Sequence, residues 1–303
     1  MSKTREQTMV PRAEPRTYYD RPVLKKPVWK WYIPAYFFTG GMAGASSTLA
    51  FAARLRGNDR LARRAGLISL AGIAVSPVFL IIDLGRPGRF VNMLRIAKPT
   101  SPMSMGTWLI SAFGPLSGGA AVSDATGLLP GVGRLCQALA AALGPAVSTY
   151  TAVLTADTAI PAWHEAWREL PVVFAGGSAA SAGAAAVLVT PAGDAGPARR
   201  LITIGTLMEL AADRAMEQRL GGLAEPYKSG KAASAPAKAA KGLLAAGAAL
   251  GLAGRRRPAL AKAGALATLA GVALTRWSIF KAGFESAADP TFTVRPQRVR
   301  VSG

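Results

Sequence analysis

Histidine and cysteine are almost missing from this chain: its 303 residues hold one of each, His164 and Cys136. A lone cysteine forms no internal disulfide, and together the two side chains cannot hold an iron–sulfur cluster or a structural zinc. A b-type haem gripped between two histidines fails on the same shortage. No metal site is expected, and neither haem nor an iron–sulfur cluster belongs to this chain. Acidic residues are scarce too, 16 Asp and Glu against 36 Lys and Arg, for a formal net charge of +20. There is no phosphate loop, dinucleotide fingerprint or nucleophile motif of a hydrolase or kinase.

Long apolar runs are what the chain has. Residues 31 to 53 carry no charge over 23 positions, enough to cross a hydrocarbon core of ~30 Å at ~1.5 Å per residue. Apolar runs between basic or Pro/Gly punctuation predict eight helices, at about 32–54, 65–84, 104–123, 136–160, 170–190, 199–218, 240–254 and 259–280. The basic residues lie in short segments between these runs, the pattern of anionic lipid headgroups and docking faces rather than of nucleic acid.

Four matches share an offset of 136 residues: Trp31 with Trp167, Phe38 with Phe174, Gly40-Gly41 with Gly176-Gly177, and Arg63-Arg64 with Arg199-Arg200. Four helices separate the copies, so both enter the membrane in the same direction. The fold class expected is all-α: a polytopic membrane protein of about eight transmembrane helices in two four-helix units. The units cover 31–165 and 166–282, between a basic N-terminal tail, 1–30, and a basic C-terminal tail, 283–303. Residues 1–30 contain eight Lys or Arg and no apolar core, which argues against a signal peptide. The face bearing the termini holds 23 basic residues and the opposite face 12, so the positive-inside rule places the termini in the cytoplasm and the chain in the cytoplasmic membrane.

Ionisable residues at membrane depth mark proton or substrate routes, because each is costly unless paired or wetted. Glu209 and Asp213 stand four apart on one helical face, beside Arg214. They read either as a proton path or as an internal ion pair that locks the helix. Asp157 ends helix four, just before the cluster Pro161-Ala-Trp163-His164-Glu165-Ala-Trp167. Tyr36 and Tyr150 are amphipathic rings whose hydroxyls can hydrogen-bond a quinone carbonyl in an apolar slot, although interfacial tyrosines also serve as lipid anchors.

Several segments together resemble the NrfD family of integral membrane subunits. They are Tyr36-Phe-Phe-Thr-Gly-Gly-Met-Ala-Gly44, Asp83-Leu-Gly-Arg-Pro-Gly-Arg-Phe90, Lys98-Pro-Thr-Ser-Pro-Met-Ser-Met-Gly-Thr-Trp108, Tyr150-Thr-Ala-Val-Leu-Thr, and Pro161-Ala-Trp-His-Glu-Ala-Trp-Arg-Glu-Leu-Pro171. The resemblance implies a subunit that binds menaquinone or ubiquinone as an exchangeable substrate near one membrane face. Its implied partners are a four-cluster ferredoxin-like iron–sulfur subunit and a molybdopterin-type or related oxidoreductase subunit. It places the quinone contacts on Tyr36 and Tyr150, where the family's first position is a histidine. Tyrosine is a poorer proton carrier near neutral pH.

The function expected is therefore electron exchange between a partner's cluster and the membrane quinone pool, by a subunit not active alone. Tyr36, Tyr150 and Trp163 would bind quinone; Asp157, His164 and Glu165 would handle protons. Arg86 and Arg89 would dock the partner, helped by the Trp163–Trp167 segment. A secondary transporter and a passive anchor for a redox complex are the alternatives.

Overall fold

Proline and polar caps set the helix starts, and apolar content sets their lengths. The computed structural model describes residues 22–86, 88–294 and 296. Its helices are α1 (Tyr32–Leu55), α2 (Asp59–Asp83), α3 (Arg89–Leu94), α4 (Pro102–Thr126), α5 (Pro130–Ala156), α6 (Pro161–Glu165), α7 (Leu170–Val189), α8 (Gly196–Leu220), α9 (Glu225–Lys228), α10 (Ser234–Ala253) and α11 (Pro258–Ala288). No strand occurs among the described residues. Prolines occupy the first turns of α4, α5, α6, α7, α8 and α11, where the missing N–H has no intrahelical partner to lose. Asn58 caps α2 by accepting from the Leu61 N–H at 3.1 Å.

Eight of these helices reach 20 residues or more, and they occupy the positions expected. Four, namely α2, α5, α7 and α11, are long and apolar enough to cross a membrane. The protein is thus an all-helical membrane protein. Tyr, Thr, Ser and Gly residues dilute the hydropathy of α1, and α8 carries Glu209, Asp213, Arg214 and Glu217 along its length.

Close backbone approach packs the interior. Gly44 of α1 and Gly144 of α5 face each other so tightly that a Cβ on either would strike the other's carbonyl oxygen. Ser47 and Thr48 of α1 donate to the Ala140 and Ala141 carbonyls of α5 at 3.1 and 3.2 Å, adding polar links where lipid gives no hydrophobic drive.

The helix pairs α1/α2 and α7/α8 meet at their connecting loops, where the Asn58 amide donates to the Asp194 carbonyl at 2.8 Å. These two residues are themselves 136 apart, so the end of α1 and the end of α7 lie on one face.

Two tail boundaries differ from the sequence reading. α11 runs through Ala288, beyond residue 283, because Gly283, Ser286 and Ala287 are buried. Gly283 lies beneath the Trp163 ring, and Ser286 accepts from the Ala162 N–H at 3.2 Å. At the other end Trp29 stacks on Trp163 at 5.3 Å, so this residue of the tail belongs to the packed body. Most of the N-terminal tail lies outside the described residues.

Candidate functional site

Tyr36 sits one turn into α1 and is only 2% exposed. Its ring meets the Tyr150 ring of α5 edge-on, with centroids 6.3 Å apart and planes at 73°. The structure therefore brings together the two tyrosines that the sequence singled out. Gly106 of α4 makes room for Tyr150, since a Cβ there would overlap the ring. The Tyr150 hydroxyl is buried and has no hydrogen-bond partner among the described residues.

The segment before Gly106 explains its own residue types. Ser101 caps α4 by accepting from the Ser104 N–H at 3.4 Å, and Ser104 Oγ donates to the Ile96 carbonyl at 2.7 Å. Trp108 Nε1 donates to the same carbonyl at 3.2 Å. This network fixes the α4 entry and with it the position of Gly106 under Tyr150.

Asp157 follows Tyr150 by seven residues, two helical turns, so it lies over the same face about 10 Å further along the axis. It is exposed at the C-terminal cap of α5, because the helix ends at Ala156, short of the residue 160 expected. His164 is also exposed, with Nδ1 3.0 Å from the Ala156 carbonyl oxygen. Asp157 and His164 are thereby gathered at one end of α5. Glu165 is half-buried beside them in sequence, and its carbonyl accepts from Arg219.

Trp163, expected as a quinone contact, lies packed between helices. It is 1% exposed and its Nε1 donates to the Ile279 carbonyl of α11 at 2.7 Å. Its one donor is used, and its faces are covered by Trp29 and Phe280. It is a packing residue that fastens α6 to α11 and cannot face a docking partner, whereas Trp167 is 55% exposed. Arg86 and Arg89 are exposed in the turn and short helix after α2, as a docking role requires.

A second polar group lies between α7, α8 and α11. Glu209 and Arg276 are each 1% exposed, and both reach the space that a side chain on Gly177 would fill. Arg276 lies over the Phe174 ring at 3.9 Å and donates through Nη2 to the Phe174 carbonyl at 2.9 Å. Its Nε and Nη1, and both Glu209 carboxylate oxygens, have no hydrogen-bond partner among the described residues. From Glu209 a cavity of about 20 Å³, room for roughly one water, leads past Asp213, Glu217, Lys241 and Thr275. Lys241 bridges Asp213 at 2.8 Å and Glu217 at 2.7 Å, and its side chain is 41% exposed. Glu209 and Asp213 thus share one polar file, which ends at Lys241. Sequence reading missed Arg276, counting it as loop charge, and missed Lys241.

The geometry places polar groups and paired tyrosines in a helical membrane body, and one comparison settles what kind of body it is. The family model described as polysulphide reductase, NrfD, matches residues 22–221. The chain belongs to the NrfD family. Members of the NrfD family are membrane subunits of redox complexes. The NrfD match covers α1 through α8 and so contains Tyr36, Tyr150, Asp157, Glu209 and Asp213, while Lys241 and Arg276 lie beyond it. No curated protein matches the chain.

Proposed function

We propose that this NrfD chain is the quinone-reactive membrane subunit of a multisubunit oxidoreductase, active only with its partners. The observation that carries the reading is the Tyr150 hydroxyl, buried without a partner against Tyr36. A buried, unsatisfied hydroxyl costs about 1–3 kcal/mol, and a quinone carbonyl is an acceptor that would remove that cost. Menaquinone and ubiquinone both present such a carbonyl.

Quinone takes up two electrons and two protons to become quinol. In this reading the electrons come from, or return to, a cluster in a four-cluster ferredoxin-like partner, itself served by a molybdopterin-type or related subunit. The chain's own residues orient and protonate. Tyr150 donates its hydrogen bond, Tyr36 closes the slot, and Asp157, His164 and Glu165 at the end of α5 connect it to water. Exposed Arg86 and Arg89 hold the acidic rim of the partner. The arrangement uses all eight long helices as spans, with the termini on the cytoplasmic side of the cytoplasmic membrane. The polar file from Glu209 through Asp213 to Lys241 offers a separate proton path.

Tyr150→Phe tests the reading, because it removes the donor and keeps the ring. In the intact complex, quinone-linked turnover should fall about tenfold or more, the loss expected of an unpaired site group. Turnover of the partner subunits with a soluble dye should stay unchanged. Undiminished quinone turnover would overturn the proposal. The desolvated Glu209 and Arg276 favour one second reading, a secondary transporter, which requires solute uptake by the lone chain in liposomes.

A further inference from the structure

A second candidate site lies away from the tyrosine pair. It is a groove of about 530 Å³ between α1, α5, α7 and α8, within the ~300–1,000 Å³ range of small-molecule sites. Along α1 it runs from Ala45 to Arg56, and along α8 from Pro197 to Met208. Both are eleven residue steps, about 16 Å at the helical rise, or roughly half the ~30 Å thickness of a hydrocarbon core. The groove is one leaflet long.

Its walls and its end differ in chemistry. Ala52, Ala175, Ala179, Leu201 and Ile204 supply an apolar lining. The hydroxyls on that lining are already used: Thr48 donates to the Ala141 carbonyl, Ser148 to the Gly41 carbonyl and Thr149 to the Pro145 carbonyl, at 3.2, 3.1 and 2.9 Å. A polar headgroup deep in the groove would find no free donor. At the loop end stand Arg56 and Arg200, both exposed, and neither forms an ion pair among the described residues. Asn58 ties the two loops together there, and the first turn of α8 adds the positive end of its dipole.

We propose that this groove binds one anionic glycerophospholipid, an acyl chain lying along α1 and α8 and the phosphate held by Arg56 and Arg200 on the face opposite the termini. The match is of length and of charge: a chain one leaflet long, dry along its stem and anionic at the interface. A quinone is a poorer fit, because its carbonyls would meet either an apolar wall or the arginines at the water boundary. The site is separate from the Tyr36 and Tyr150 pair.

The test uses the full chain purified in mild detergent, offered phosphatidylglycerol or phosphatidylcholine with identical acyl chains, and read by native mass spectrometry. One phosphatidylglycerol should be retained, with a preference of about tenfold from two guanidiniums near the interface. The double variant Arg56→Gln, Arg200→Gln should lose the preference. Ala179→Phe, or independently Ala52→Phe, should fill the groove and lose both lipids. Equal retention of both lipids by the native chain, or preference surviving in the double variant, would overturn the proposal. So would displacement by millimolar inorganic phosphate, which marks an anion site without a chain, or by a short-chain quinone. Tyr150→Phe should leave lipid retention untouched, so a failure of the quinone reading and a failure of this one are distinguishable.

Discussion

Glu209 of α8 and Arg276 of α11 approach each other at Gly177 of α7, and neither carboxylate oxygen accepts a hydrogen bond among the described residues. The guanidinium is held instead by the Phe174 ring and the Phe174 carbonyl. Two desolvated charges each carry a penalty of several kcal/mol, which mutual attraction offsets only in part. Three helices are thus organised around opposite charges that stand near without touching.

Removing one charge should therefore cost more than removing both. Arg276→Met leaves Glu209 buried without its counter-charge and should lower stability by about 3–5 kcal/mol. Adding Glu209→Gln to that variant should recover much of the loss. Thermal unfolding of the native protein, Arg276→Met, Glu209→Gln and the double variant in one detergent gives the coupling energy; additive losses would show that the charges do not interact.

Gly177→Ala probes the same junction from the third helix. A Cβ would press on Arg276 Nη2 and the Glu209 carboxylate, and overpacking of this kind costs about 1–3 kcal/mol. The same change at Gly114, where nothing lies within reach of a Cβ, serves as the control and should be close to neutral.

This junction also shows where the sequence was legible and where it was not. Eight long helices could be read because apolar runs broken by Pro, Gly and basic residues have a physical length scale. The tyrosine pair could be read because a family motif fixes Tyr36 and Tyr150 on adjacent helices. Arg276 could not: near the end of the expected helix 259–280 it reads as interfacial charge, and its significance depends on three helices meeting at a glycine. Trp163 is a candidate ligand contact from sequence because an aromatic beside a helix end can serve as one, and only the structure shows that the Ile279 carbonyl takes up its ring N–H. Asp157 falls inside a helix expected to reach residue 160, whereas α5 ends at Ala156.

Acid should weaken a different contact. Glu169 stands just before α7, and the hydrogen bond from Arg219, 2.6 Å away, holds its carboxyl below the usual carboxylate range. A lowered folded value means that the stabilisation is complete above the ordinary glutamate pKa of about 4.3 and is lost as pH falls through the lowered value. Glu169→Gln should reduce stability at pH 7 by about 0.5–1 kcal/mol, as expected for a partly exposed pair. The gap between native and variant unfolding temperatures should close in acid; a gap independent of pH would rule the ion pair out as its cause.

Gly106 offers a way to disturb the tyrosine site without touching it. A Cβ there would collide with the Tyr150 ring, so Gly106→Ala should shift the hydroxyl that the quinone reading depends on. Quinone-linked turnover of the intact complex should fall, with dye-linked turnover of the partner subunits preserved. Matching losses in Gly106→Ala and Tyr150→Phe would place both effects at one hydroxyl, whereas full activity in Gly106→Ala would mean that the position of the ring is immaterial.

Docking should depend on charge at the turn after α2. Arg86 and Arg89 are exposed, and Arg89 makes only a long 3.4 Å contact to the Leu84 carbonyl, so both cations are available to an acidic surface. Rim charges of this kind govern association rate and its salt dependence more than the depth of the bound state. The double reversal Arg86→Glu, Arg89→Glu should therefore slow capture of the proposed iron–sulfur partner and lower its recovery at physiological salt, where the Debye length is about 8 Å. The native complex should loosen progressively as salt is raised. Because neither side chain is buried, the variant should unfold at the native temperature, which separates a lost interface from a lost fold. Partner recovery unchanged by the double reversal would move the docking face away from this turn, toward the exposed Trp167 and the segment that follows it.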